Sequence, residues 1–359
     1  KRDGQLIPDP GHLDVKGGFK RGWLYDLVYT AKNPKVTGLG MAGIRDLVSY
    51  FRYKKKDRKG KRNPMLGSIQ YAYSWGHSQS GRLLNHFLYE NFNGDEKKRI
   101  VFDGIISNCP GAGKGLFNAR FAQFTRHGSH HEDNLYPTDF FPQNTVMQKD
   151  PLTGKRKDPF QLARKSSLMP KIFYINQSTD YWTRAASLLH SDVEGKTDAA
   201  IDPNVRIYLV SSGIHGNNYW AGVLERAMIR NLDQWIVNGT LPPSSKIPKI
   251  SNGTLVSLSE YRKKLAKIPG MKRMPDSYYQ PLRLDPGPRW RTEGIADIVP
   301  PKIGKPYISL VPQVDRFGND LAGIRLPRIR VPLATHTGWQ LYDADYYRSL
   351  GRNRGSLFP

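Results

Sequence analysis

The sequence predicts an α/β protein, a mostly parallel sheet carrying helices on both faces. Two observations carry that expectation. Runs that favour strands alternate with stretches of helical apolar spacing between residues 22 and 237, and one strand-to-helix junction holds a serine flanked by small residues. A chain of 359 residues with 38% apolar content can also bury the large core that such a sheet needs.

Taken in order, residues 22–30 (GWLYDLVYT) read as a strand, and residues 36–51 as a Gly-rich loop entering an amphipathic helix. Residues 68–75 (SIQYAYSW) are β-prone and bounded upstream by Asn63-Pro64 and Gly67. Residues 83–89 (LLNHFLY) are apolar at helical spacing and are closed by Asn91-Phe92-Asn93-Gly94. The next strands are expected at residues 99–106, 171–176 and 205–210, with helices through Trp182, Ala186 and Leu189 and over residues 219–237. Residues 108–168 lose periodicity and fill with Gly, Pro, Asn, His and aromatics, which reads as a lid insertion rather than a connection. From Gly239 onward proline dominates. The expected organisation is therefore a core over residues 1–238 and an extended Pro-rich tail over residues 239–359 that wraps it.

The junction is Gly76-His77-Ser78-Gln79-Ser80-Gly81-Arg82. A nucleophile elbow needs a turn so tight that only small residues fit two positions either side of the serine, and Gly76 and Ser80 stand there. Ser78 would project from the sheet edge, with the N–H of Gln79 aimed at a developing oxyanion. A Gly/Ser turn that merely joins strand to helix is the plainer reading of the motif alone.

A serine nucleophile needs a base, and the base needs an acid to orient it. In α/β-hydrolases these follow in the order Ser, Asp or Glu, His, each beyond the carboxyl end of a strand. Asp180 follows the strand at 171–176 after a short turn, and His215 follows the strand at 205–210. An N-cap is the ordinary use of an Asp placed like Asp180, and the two roles can coexist. Asp103 is the rival acid, inside the strand-like run at 99–106.

Other patterns carry less. Gly111-Ala112-Gly113-Lys114-Gly115 lacks the leading Gly and the following Ser/Thr of a phosphate loop. His127, His130, His131, Glu132 and Asp133 have no H-E-x-x-H frame, so a polar lid is expected there and no metal or other cofactor. The single cysteine, Cys109, excludes an internal disulfide framework. The net charge of +24 makes this a basic protein; the run from Lys54 to Arg62 could meet an anionic partner, but a solvated loop between a helix and the nucleophile strand is the favoured reading. It lacks the interleaved aromatics of a base-stacking surface, which argues against nucleic acid. No stretch reaches the roughly 18 apolar residues of a membrane span.

Together with Val101-Phe102-Asp103-Gly104, the Ser78 motif resembles the large bacterial α/β-hydrolase domain-containing proteins. So do Tyr136-Pro137-Thr138-Asp139, Tyr181-Trp182-x-Arg184-Ala185-Ala186-Ser187-Leu188 and Val311-Pro312-Gln313-Val314-Asp315. Gly323-Ile324-Arg325-Leu326-Pro327, Val331-Pro332-Leu333-Ala334-Thr335 and Thr337-Gly338-Trp339 complete the blocks, which span nearly the whole chain. The resemblance implies a hydrolase with Ser78 as nucleophile, His215 as base and Asp180 where the family usually has Glu. Family members often carry export signals, so a periplasmic or secreted location is expected.

One strand precedes the elbow, where such a sheet has several, and no His-Gly-Gly-type loop supplies a second oxyanion donor. An N-terminal segment or a partner chain is expected to complete the sheet. Two functional readings follow. The first is a serine esterase or lactonase acting on a small acyl substrate, with Phe117, Phe121, Phe124, Phe140 and Phe141 of the lid either lining the site or packing in the core. The second is a non-catalytic basic subunit that retains a hydrolase scaffold.

Overall fold

The computed structural model of the chain describes residues 38–115, 140–215, 221–271 and 274–341, apart from 294 and 300, together with 7, 9, 11–20 and 117. Four parallel strands form the central sheet: β1 (Tyr73–His77), β2 (Gly104–Asn108), β3 (Lys171–Gln177) and β4 (Val205–Val210), side by side in that order. Helix α1 (Gly40–Tyr53) precedes β1 and α2 (Gln79–Tyr89) leaves it. Helix α3 (Ser178–Thr183) leaves β3, and α4 (Ala221–Asn238) follows β4.

The two-residue period of the strands sorts the core into two layers. Ile105, Ile172, Tyr174 and Ile207 share one cluster with Met41 of α1 and Leu84, Phe87 and Leu88 of α2. Their neighbours Ile106, Phe173, Ile175 and Tyr208 share the other with Met228, Leu232 and Trp235 of α4. Burying a side chain of this size contributes about 1.5–3 kcal/mol. Both faces of the strands are therefore packed against helices.

Several boundaries differ from the sequence reading. The strand expected at 99–106 begins only at Gly104, because local side chains claim the residues before it. Asn93 Nδ2 donates to the Phe102 carbonyl at 3.0 Å and Asn93 Oδ1 accepts the Phe102 N–H at 2.9 Å. Asp95 accepts the Arg99 N–H and Nε at 2.8 Å each. The elbow strand likewise begins at Tyr73, and its helix opens at Gln79, directly after Ser78. The strand expected at residues 22–30, the His127 to Asp133 cluster, Phe121 and Phe124 lie outside the described residues.

In the insertion, a short hairpin (Gln148–Lys149 with Arg156–Lys157) and a helix (Gln161–Lys165) are formed. Phe141 is buried in the first core layer and Phe117 packs against it, so these two aromatics are core. Phe140 sits against the rings of His86 and Tyr89 and under the Lys114 ammonium.

The tail runs along the outer edge of β4. The Leu209 N–H donates to Lys246 at 2.9 Å and the Lys246 N–H to Ile207 at 3.0 Å. The Ile324 N–H donates to Leu209 at 2.7 Å and the Ser211 N–H to Ile324 at 3.1 Å. An open strand edge invites pairing with other chains, and the tail covers this one. The tail also carries helix α5 (Leu258–Leu265), started by a capping box of Ser257 and Glu260. Tyr261 of α5 packs edge-on against Trp182 of α3 at 4.8 Å and accepts the Trp339 Nε1 hydrogen bond at 2.8 Å. Among the described residues, no helix is long and apolar enough to cross a membrane.

Candidate active site

The site begins with the backbone of Ser78. Its φ of 56° and ψ of −116° lie outside the regions that L-residues favour, at the step from β1 into α2. Small neighbours make that turn possible. A Cβ on Gly76 would lie 2.4 Å from the Ser80 carbonyl oxygen, and one on Gly81 would lie 3.0 Å from the Asn108 carbonyl oxygen. Ser107 of β2 fixes the helix start, its Oγ bonding the Gly81 carbonyl and Asn85 Oδ1, each at 3.0 Å. Gln79 is the first residue of α2, and the N–H groups of a helix's first turn have no partners within the helix.

Two further side chains arrive from neighbouring strands. His215 stands beyond β4, after a turn in which Ser212 takes a φ of 53°. Asp180 lies in the first turn of α3, directly beyond β3, and is fully buried. Its Oδ2 accepts the Gln177 N–H at 2.7 Å as half of a capping box, which leaves Oδ1 to accept from His215 Nδ1 at 2.7 Å. Capping and contact with the imidazole therefore coexist in one carboxylate. With Nδ1 donating to Asp180, the Nε2 lone pair faces Ser78 Oγ at 2.8 Å and accepts its proton. The His77 ring stands 5.5 Å from that of His215, and burial, followed by the charge of His215, lowers the pKa of His77 below the ordinary value.

Ser78, His215 and Asp180 are thus brought together in one hydrogen-bonded line, while Asp103 is not. Asp103 immediately precedes β2, at the amino end of the sheet, where it pairs with Arg52 at 2.9 Å and accepts the Ala72 N–H at 2.8 Å. The shifted start of β2 is what moves it to the far edge. Among the described residues, one group could share a cation: Cys109, Asp180 and His215 have ligand atoms within 4.8 Å of one another. Two of these three already bond to each other. Sequence reasoning missed another acidic residue near the site, Asp320, which touches the segments that carry Asp180 and His215.

A parallel sheet with helices on both faces, and a serine on a strained strand-to-helix turn at its carboxyl edge, make up the architecture of the α/β-hydrolase fold. The model of a family described as an alpha/beta hydrolase domain matches residues 24–355. The chain belongs to that family. No curated protein and no solved structure matches it.

Proposed function

We propose that the protein is a serine hydrolase acting on a carboxylic ester or lactone. Ser78 is the nucleophile, His215 the general base, Asp180 the group that orients the imidazole, and the Gln79 N–H an oxyanion donor. The observation that carries this reading is the continuous line Ser78 Oγ–His215–Asp180, at 2.8 and 2.7 Å, on a strained elbow.

Chemistry follows from that line. As Ser78 Oγ bonds to the carbonyl carbon, its proton passes to His215 Nε2 and the carbonyl electron pair moves onto oxygen. The Gln79 N–H, at the positive end of α2, faces that charge. Collapse of the adduct breaks the bond to the alkoxide, which takes the proton from Nε2. Water then repeats the cycle on the acyl-serine, releasing the acid and restoring Ser78. A second oxyanion donor, from a segment outside the described residues or from a partner chain, belongs to this proposal.

The rival reading, a non-catalytic basic subunit, draws on the net charge of +24. Against it stands the backbone strain at Ser78, a cost of about 1–3 kcal/mol that a purely structural turn has no need to retain. A fluorophosphonate probe separates the two. The wild type should be labelled and Ser78→Ala should not, while p-nitrophenyl esters and simple lactones rank the acyl group. An unlabelled wild type in its native assembly would favour the subunit.

A further inference from the structure

The acid-bearing helix and the base-bearing loop meet at a carboxylate from a distant part of the chain. Ser178, the first residue of α3, donates its hydroxyl to Asp320 Oδ2. The N–H of Ser212, in the turn leading to His215, donates to the same oxygen at 2.6 Å. The contact is reciprocal, because the Asp320 N–H donates to Ser212 Oγ at 2.9 Å. Ser178, Ser212 and Asp320 are all buried.

The tail around Asp320 is itself braced and pressed against the same two loops. Arg325 pairs with Asp315 at 2.6 Å, and Asn319 Oδ1 accepts the His336 N–H at 2.7 Å. Ser211 Oγ donates to the Ala322 carbonyl at 2.6 Å. A Cβ on Gly338 would lie 2.1 Å from Ser178 Cβ, and one on Gly323 would lie 2.6 Å from the Leu209 carbonyl oxygen. The tail can approach this closely only with glycine at those places.

Among the described residues no cation is bonded to Asp320, and burying such a carboxyl is costly. Burial, ahead of every hydrogen bond, pushes the Asp320 carboxyl up to about 6. What an aspartate supplies here is one acceptor oxygen shared by two loops.

We propose that Asp320 is a positioning residue of the hydrolytic site. By bonding Ser178 and Ser212 at once, it fixes Asp180 and His215 relative to each other so that the imidazole is aimed at Ser78 before substrate arrives. This rests on the assignment of Ser78, His215 and Asp180 as the reacting set. Asp320 touches none of the reacting atoms and acts through the two serines.

The test compares Asp320→Ala, Asp320→Asn and Ser178→Ala in the full chain. Asp320→Ala, with circular dichroism unchanged, should be labelled by the fluorophosphonate about 10–100-fold more slowly, the range expected when a supporting partner or about 1 Å of alignment is lost. Asp320→Asn keeps an acceptor oxygen in place and should restore most of the rate. A second readout is the far-downfield proton resonance of the His215 Nδ1–H bonded to Asp180, which should weaken or move in Asp320→Ala and persist in Asp320→Asn. Should Asp320→Ala fail to fold, Ser178→Ala decides, since it removes the acid-side arm alone and should show both effects in smaller degree. Wild-type labelling rates with an unmoved resonance in a folded variant overturn the proposal. If the wild type itself is not labelled, the hydrolase assignment fails, and the resonance alone then decides whether Asp320 aligns the pair.

Discussion

The backbone N–H of Ser78 donates to the carbonyl of Asn108 at 2.7 Å, which ties the elbow on β1 to the end of β2. That bond occupies the N–H of Ser78 itself, which leaves the first-turn N–H groups of α2, Gln79 among them, as the donors at this turn. The same Asn108 carbonyl lies 3.0 Å from where a Cβ on Gly81 would be, so strand and helix close on it from both sides.

The elbow should accordingly be intolerant of even one carbon. In Gly76→Ala the new Cβ would meet the Ser80 carbonyl oxygen at 2.4 Å and Leu84 Cδ1 at 2.8 Å. Overpacking of this kind costs about 1–3 kcal/mol. Urea unfolding should show the loss, and the folded fraction should label slowly. Wild-type values of both would mean that the turn is looser than its geometry implies.

Asp180→Asn and Asp103→Asn form a paired experiment. An amide at position 180 can no longer hold the imidazole in the productive tautomer, and turnover should fall by about 10⁴-fold. Asp103 sits at the opposite end of the sheet, bonded to Arg52 and to the Ala72 N–H. Its replacement should lower stability while leaving turnover per folded molecule near wild type. The reverse pattern would exchange the two residues' roles.

Asp320→Asn should stabilise the protein in a pH-dependent way. The folded carboxyl is raised by burial to about 6, from an ordinary value of 3.8, with Asp315 adding to the rise and Arg325 opposing it. The group's favourable contribution is complete below pH 3.8 and is lost as pH climbs through 6. Tyr181 and Tyr261, which also face this carboxyl, have pKa values raised by their own burial and stay neutral over that window. The asparagine variant avoids the loss, so its advantage over wild type should grow by about 2 kcal/mol between pH 4 and 7.5. Parallel stability–pH curves would contradict the assignment.

Ser257→Ala serves as a control on the tail. The Ser257 hydroxyl accepts the Glu260 N–H at 3.3 Å at the start of α5, and losing an N-cap costs about 1 kcal/mol. Thermal unfolding should register that cost with the labelling rate unchanged. A fall in labelling would mean that α5 supports the site directly.

The parts of the site legible in the sequence are those governed by short-range rules. Gly76 and Ser80 frame Ser78 because the turn leaves no room for more. Asp180 and His215 could be found because each follows a strand that its own apolar run defines. Asp320 was not legible, since its partners Ser178 and Ser212 lie 142 and 108 positions away and no local pattern marks a lone buried carboxyl. Asp103 stayed open as the rival acid because the Asn93 side chain, not hydropathy, decides where β2 begins. The S-x-x-E spacing at Ser257 and Glu260 was a readable helix start that the prolines around it obscured.

The Ser212–Asp320 bond also gives the molecule a clock. A ribosome making about 5–20 residues per second needs about 5–20 s to travel the 108 positions between these residues. During that interval the nascent chain already holds its serine, its aspartate and its histidine, but not the carboxylate that joins their loops. Full alignment of the loops around Ser78, Asp180 and His215 would then come late in synthesis, once the tail bearing Asp320 docks.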